Sequence, residues 1–265
     1  MRRFRLTAYV TSFLFAAAVA LTGATSAQAA ATGYVALGDS YSSGVGSGSY
    51  DSASGDCKRS SKAYPALWAA AHSSVSFNFT ACSGARTGDV LANQLGPLGS
   101  GTGLVSISIG GNDAGFADVM TTCVLYSEST CVNRVNEARA YATSTLPGKL
   151  DQVYAAIKAK APAAHVVVLG YPRFYQLGGS CIAGLSETER SAINGAADLL
   201  NSTTAKRAAN AGFTFGDVAA KFTGHEICSG SPWLHSVNWT NIGESYHPTA
   251  AGQSGGYLPV FTSAA

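Results

Sequence analysis

Four short polar segments carry residue types that could perform acyl transfer together: Gly38-Asp39-Ser40, Cys82-Ser83-Gly84, Gly110-Gly111-Asn112-Asp113 and Ser245-Tyr246-His247-Pro248. Hydrolysis of an ester needs a nucleophile, a base to take its proton, and N–H donors for the oxyanion. A serine hydroxyl is a weak nucleophile at neutral pH unless an imidazole accepts its proton, so Ser40 and His247 are the natural pair. Glycine at 84 lets a backbone amide approach a substrate closely, and the Asn112 side chain is an uncharged donor. With the backbone amide of Ser40, that makes three donors. Taken singly, Ser40 and Asn112 read as turn residues.

The elements that must hold these segments follow from the apolar pattern. Short β-rich runs occur at Tyr34 to Leu37, Val75 to Phe79, Leu104 to Ile109, His165 to Leu169 and Phe213 to Phe215. The first, third and fourth are nearly continuous apolar runs, which suits strands buried on both faces of a parallel sheet. Helices are predicted at Ala63 to Ala71, Thr87 to Gln94, Cys131 to Lys160 with a break at Pro147, and Glu187 to Asn210. Ser186 and Glu189 form a capping box at the start of the last of these. Alternation of strands and helices without a Pro-rich or charged linker implies one doubly wound α/β domain, with helices on both faces. The first three polar segments each follow a strand directly, where open α/β sheets bind their ligands. The Gly/Ser-rich stretch from Ser42 to Gly55 reads mostly as a flexible surface loop.

Composition narrows the classes. With 46% hydrophobic and 12% charged residues, the 265-residue chain is neither disordered nor a coiled coil. Residues 1–29 read as a secretory signal peptide, with Arg2, Arg3 and Arg5, an apolar run to about Leu21 and a small-residue site at Ala27-Gln28-Ala29. Its removal would leave residues 30–265 as a secreted, extracellular catalytic domain with no stable membrane anchor. The formal charge of +2 then becomes fourteen basic against fifteen acidic residues, about −1. That balance lacks the basic footprint that nucleic-acid binding requires. Six cysteines in an exported chain imply three disulfides. Fifteen connectivities exist; order along the chain favours Cys57 with Cys82, Cys123 with Cys131, and Cys181 with Cys228. Zinc is the rival reading of the cysteines, but no Cys-x-x-Cys pair is present and no metal is called for.

The four segments, in this order and across the whole chain after the leader, resemble the GDSL or SGNH hydrolases, especially their secreted actinobacterial lipases, esterases and phospholipases A1. The resemblance implies a single-domain, flavodoxin-like, three-layer α/β/α sandwich with a five-stranded, mainly parallel sheet. It implies Ser40 as nucleophile and oxyanion donor, Gly84 and Asn112 as the other donors, and His247 as base then acid. It implies a two-step hydrolysis of lipid esters, phospholipid or acylglycerol, by a monomer needing no cofactor. Many members place an aspartate three residues before the histidine, where this chain has Glu244. The imidazole would be oriented either by Glu244 or by the backbone carbonyl of Ser245, with the carbonyl preferred.

Rival readings remain. The family also contains carbohydrate acetyl esterases, and a secreted binding module would need a missing motif residue, which this chain does not have. Gly252-Gln253-Ser254-Gly255-Gly256 matches a nucleophile elbow, but no histidine or preceding strand accompanies it. His72 and His165 read as structural; His225 and His235 are candidates for lining the cleft. The sequons at Asn78, Asn201 and Asn238 read as chance matches, Asn78 falling in a predicted core strand. An acyl groove would draw on Val45, Phe116, Phe174, Tyr175, Trp233 and Leu234, with the Cys123 to Cys131 loop as a fixed wall.

Overall fold

Apolar runs buried on both faces produce a parallel sheet, and the computed structural model has five strands in the order β2-β1-β3-β4-β5. They are β1 (Gly33–Gly38), β2 (Ser76–Phe79), β3 (Thr102–Ser108), β4 (His165–Leu169) and β5 (Thr214–Gly216), all paired in parallel. The structure describes residues 33–179, 181 and 184–265, so the predicted leader lies outside the described residues. No helix among these residues is long and apolar enough to cross a membrane. Strand order reverses at β1, with β2 on one side and β3 on the other. The crevice at the carboxyl ends of β1 and β3 is therefore the topological switch point.

Helices form the outer layers: α1 (Ser40–Ser43), α2 (Tyr64–Ala71), α3 (Thr87–Asp89, continuing as a wider turn to Gln94), α4 (Phe116–Leu125), α5 (Glu128–Ser144), α6 (Leu146–Lys160), α7 (Glu187–Ala211) and α8 (Leu258–Ala264). On one face Tyr34 of β1 meets Trp68 of α2 edge-on at 5.1 Å and stacks on Phe261 of α8 at 5.4 Å. On the other, α6 and α7 cover the sheet, burying Leu150, Val153 and Ile157 from α6. Burial of each such side chain contributes about 1.5–3 kcal/mol.

Local chemistry sets the helix ends. The Ser186 and Glu189 capping box is formed, and α7 ends on Gly212 in the left-handed conformation. Pro147 does not kink a long helix; it lies in the first turn of α6, where its missing N–H costs nothing, and α5 ends before it. The cysteines pair as their order suggested: Cys57–Cys82, Cys123–Cys131 and Cys181–Cys228. The second joins two helices, α4 to α5, across the turn at Tyr126 and Ser127 rather than closing a loop.

Two expectations are corrected, and one helix is added. The Ser42 to Gly55 stretch is not simply loose surface, because residues 42–47 are buried. Gly46, at φ +88, sits so tightly that a β-carbon would lie 2.8 Å from the Pro248 carbonyl oxygen. Asn78 is not in a core strand. It is exposed on the edge strand β2, where alternate residues face solvent. Finally, α4 is an unpredicted helix, its two adjacent threonines and flanking Gly115 having masked it.

Candidate active site

Ser40 is the first residue of α1, placed at the turn out of β1. The first N–H groups of a helix have no intrahelical acceptor. The Asp39 side chain accepts one of them, from Tyr41, and that of Ser40 has no protein acceptor among the described residues. The Gly84 N–H is likewise without one. Gly84 has φ +77, a conformation that disfavours any side chain, and lies on an exposed turn anchored by Cys57–Cys82. Asn112 spends one Nδ2 hydrogen on the Ala85 carbonyl at 3.0 Å, which aims the amide and leaves its second hydrogen for the cleft. Ser40, Gly84, Asn112 and His247 all line one open cleft.

His247 closes the arrangement. Its Nε2 lies 2.7 Å from Ser40 Oγ, and its Nδ1 2.9 Å from the Ser245 carbonyl oxygen. A carbonyl can only accept, so the proton sits on Nδ1 and Nε2 presents a lone pair to the serine hydroxyl. The tight return of the Ser245 carbonyl onto the ring depends on Tyr246, which has φ +65, an arrangement costing about 1–2 kcal/mol in an L-residue. The Tyr41 hydroxyl donates to the Tyr246 carbonyl at 2.7 Å and holds that turn. Burial lowers the imidazole to about 4; the charges of His235 and Lys58 act in the same direction, and the Ser245 carbonyl opposes them. The free base is thus the resting form at neutral pH.

The Glu244 carboxylate makes no hydrogen bond to the imidazole. It accepts a hydrogen bond from the Tyr50 hydroxyl at 2.8 Å, and the Glu244 backbone carbonyl accepts the His247 N–H at 3.2 Å.

Beneath the nucleophile lies a buried polar network that sequence reasoning missed. Asp39 accepts from Tyr171 Oη and from Ser108 Oγ, the latter at 2.8 Å. Ser42 Oγ is 2.7 Å from Ser108 Oγ and 3.0 Å from the Tyr64 hydroxyl. Burial pushes the Asp39 carboxyl up to about 6, while these donors pull it down. The one available signal was the pair of serines, Ser106 and Ser108, inside an otherwise apolar strand.

A largely apolar pocket opens from Ser40 and Asn112 and runs between α4, α5 and α7, lined by Phe116, Met120, Ala142, Phe174, Ile193 and Leu200. Phe116 and Phe174, stacked at 5.1 Å, are the two groove candidates found there. Of the others, Val45 and Leu234 are core residues; Trp233 packs on His225 and Phe222, and Tyr175 lies in a neighbouring hollow. Val124 and Leu125, beside the Cys123–Cys131 staple, do border the open cleft, together with Trp239 and Ile242. His225 and His235 stay out of it: His225 bonds the Ser231 carbonyl, and His235 Nε2 bonds that of Gly46 at 2.7 Å. Ser254 is exposed and bonds only the Ala251 carbonyl, whereas its neighbour Gln253 is buried and ties Tyr41 to Tyr64.

Residues 36–254 match the GDSL-like Lipase/Acylhydrolase family. The chain is 74% identical to Lipase 1 of Streptomyces coelicolor over the full length of both. It is similar to the crystal structure of phospholipase A1 from Streptomyces albidoflavus, with TM-score 0.87 and 72% identity, covering 89% of this chain and 100% of that one. A similar match, TM-score 0.87 and 71% identity over the same shares, is to an extracellular lipase from Streptomyces rimosus.

Proposed function

The chain belongs to the GDSL-like lipase/acylhydrolase family, and from that premise we propose that Ser40 and His247 carry out its hydrolysis of lipid esters in two steps. Ser40 Oγ attacks the ester carbonyl carbon while its proton passes to His247 Nε2. The negative charge that develops on the carbonyl oxygen is held by the N–H groups of Ser40 and Gly84 and by Asn112 Nδ2. His247 returns the proton to the leaving alkoxide as the carbon–oxygen bond breaks, leaving an acyl-serine. Water then attacks that ester, giving its proton to His247. The imidazole reprotonates Ser40 as the fatty acid departs.

The single observation that carries this reading is the 2.7 Å contact between Ser40 Oγ and His247 Nε2 at the mouth of the apolar pocket. The Ser245 carbonyl, not Glu244, orients the imidazole. It fixes the Nδ1 tautomer, the task a carboxylate performs in a three-residue triad. The acyl chain lies in the pocket between α4, α5 and α7. Relatives above 70% identity carry the names lipase and phospholipase A1, which favours lipid esters over the acetyl groups of polysaccharide. The protein acts after secretion, with residues 1–29 removed, as a monomer and without a cofactor.

The test is fatty-acid release from phosphatidylcholine bearing different chains at its two positions, beside a triacylglycerol and an acetylated xylan. Ser40→Ala is expected to lower turnover by roughly 10⁴-fold or more, with an unchanged melting curve. Fatty-acid release by that variant at a near-normal rate would refute the assignment, and release of acetate without fatty acid would give the carbohydrate-esterase reading.

A further inference from the structure

On the β2 side of Ser40, away from the apolar pocket, stands Lys58, a cation with no ion-pair partner among the described residues. Lys58 follows Cys57, whose disulfide to Cys82 fixes it beside the Ser83–Gly84 turn. Its φ of +49 and ψ of 46 place it in the left-handed region at the end of a short 3₁₀ turn, Ser52–Cys57. Glycine or asparagine would be relaxed there, and a long charged residue is not. Such an outlier points to a role for the side chain.

The ammonium reaches the rim of the catalytic cleft. Lys58 Nζ lies 3.5 Å from the point that a β-carbon on Gly243 would occupy, and Asn241 Oδ1 lies 3.9 Å from the same point. Gly243 lines the cleft with Ser245 and His247, so the absence of a side chain at 243 leaves that approach open. Among the described residues the ion pairs are Arg134 with Asp118 and Glu137, Arg173 with Asp198, Arg190 with Glu187, and Arg207 with Asp151; Lys58 enters none. The nearby Glu244 carboxylate is turned to Tyr50 instead. A second cation, Arg59, lines the hollow behind Ser83 and Gly84.

We propose that Lys58 binds the phosphodiester of a phospholipid substrate, as the polar half of a site whose apolar half is the pocket between α4, α5 and α7. This rests on the ester-hydrolase reading above. The sheet order places the β2 loop and the apolar pocket on opposite sides of Ser40. An ester whose carbonyl sits at Ser40 with its acyl chain in the pocket therefore sends its alcohol part toward Lys58. A neutral diacylglycerol offers the ammonium no charged acceptor. A phosphodiester offers two oxygens sharing a negative charge, and bonds of that kind are among the strong ones.

The experiment compares wild type, Lys58→Asn and Lys58→Arg on dihexanoylphosphatidylcholine and dihexanoylglycerol, both kept monomeric so that no lipid surface contributes. Asparagine suits the left-handed conformation, so that variant keeps the fold. Lys58→Asn is expected to lose about tenfold in kcat/KM on the phospholipid, the worth of one charge-assisted hydrogen bond. The loss is carried mainly by KM, with less than a twofold change on the diacylglycerol; Lys58→Arg restores most of it. Equal losses on both substrates would mean that Lys58 acts only through the fold or through His247, and no loss on either would mean that it does not meet the headgroup; both overturn the proposal while leaving the hydrolase reading intact. Failure of the wild type to hydrolyse either ester overturns both.

Discussion

The nucleophile and the base are held in place by different means. Ser40 sits on a turn whose neighbours are buried side chains: Asp39, Ser42 and Ser43 are each at most 1% exposed, and Asp39, Ser42, Ser108, Tyr64 and Tyr171 form one hydrogen-bonded set. His247 ends a segment with exposed apolar residues, Trp239 at 73% and Ile242 at 64%, and is held mostly through main-chain groups, with the Tyr41 hydroxyl on the Tyr246 carbonyl. His235 N–H donates to the His247 carbonyl at 3.0 Å, Tyr246 N–H to that of His235 at 2.9 Å, and the imidazole itself bonds a carbonyl. A site fixed by side chains can be disturbed at several positions. One fixed by backbone is sensitive chiefly to the histidine itself and to the turn that carries it.

That contrast can be broken most severely at His247. His247→Ala removes both base and acid, and kcat should fall by about 10³- to 10⁴-fold or more with little change in KM. Steady-state kinetics on a soluble ester decides it.

Next in size is Asp39→Asn. An amide has one acceptor oxygen where the carboxylate offered two, so either Tyr171 or Ser108 loses its partner. We expect about 1–3 kcal/mol of lost stability and, from displacement of Ser40, roughly 10- to 100-fold lower kcat, read by denaturant unfolding and by kinetics. Unchanged kcat would mean that the side-chain network does not position the nucleophile.

The acid limb of kcat/KM should follow the lowered imidazole. It is expected near pH 4 rather than near about 6.5, the ordinary histidine value. The stability consequence has opposite signs in the two regions. His247 is harder to protonate folded than unfolded, so its contribution is complete above about pH 6.5 and is lost as pH falls toward 4. Asp39, raised to about 6, is easier to protonate folded than unfolded, so its contribution grows as pH falls from about 6 toward about 4. Wild type should therefore keep a nearly flat Tm through this window, whereas Asp39→Asn should lose Tm steadily as pH falls. Parallel curves would break the comparison.

The smallest effect belongs to Glu244→Gln. With its carboxylate on Tyr50, most activity should remain, within about twofold to threefold, the effect of losing one half-buried polar contact. A thousandfold loss of kcat would make Glu244 a member of a triad.

How far the sequence could be read depended on whether a feature was local. Motif segments at strand ends were legible because a parallel sheet delivers every such loop to one edge, so Ser40, Gly84 and Asn112 meet without any further information. The edge position of β2 was legible too: Ser76-Phe77-Asn78-Phe79 alternates, and reading it as a core strand misjudged Asn78. The pocket was less accessible, since Met120, Ala142, Ile193 and Leu200 look like ordinary core residues along the chain. Phe116 and Phe174 belong to it, while Val45 and Leu234, equally apolar, are core.

The strands, the capping box at Ser186, the cysteine set and the four polar segments follow from local sequence, because each is written in neighbouring residues and obeys short-range sterics or hydrogen bonding. Tertiary structure decided whether Glu244 or Ser245 faces the imidazole, which helices part to form the pocket, and where the Lys58 ammonium comes to rest. Those outcomes depend on side chains far apart in the chain competing for the same partners. Tyr50 takes the Glu244 carboxylate and Tyr41 fixes the turn at Tyr246, and no local pattern records which contact prevails.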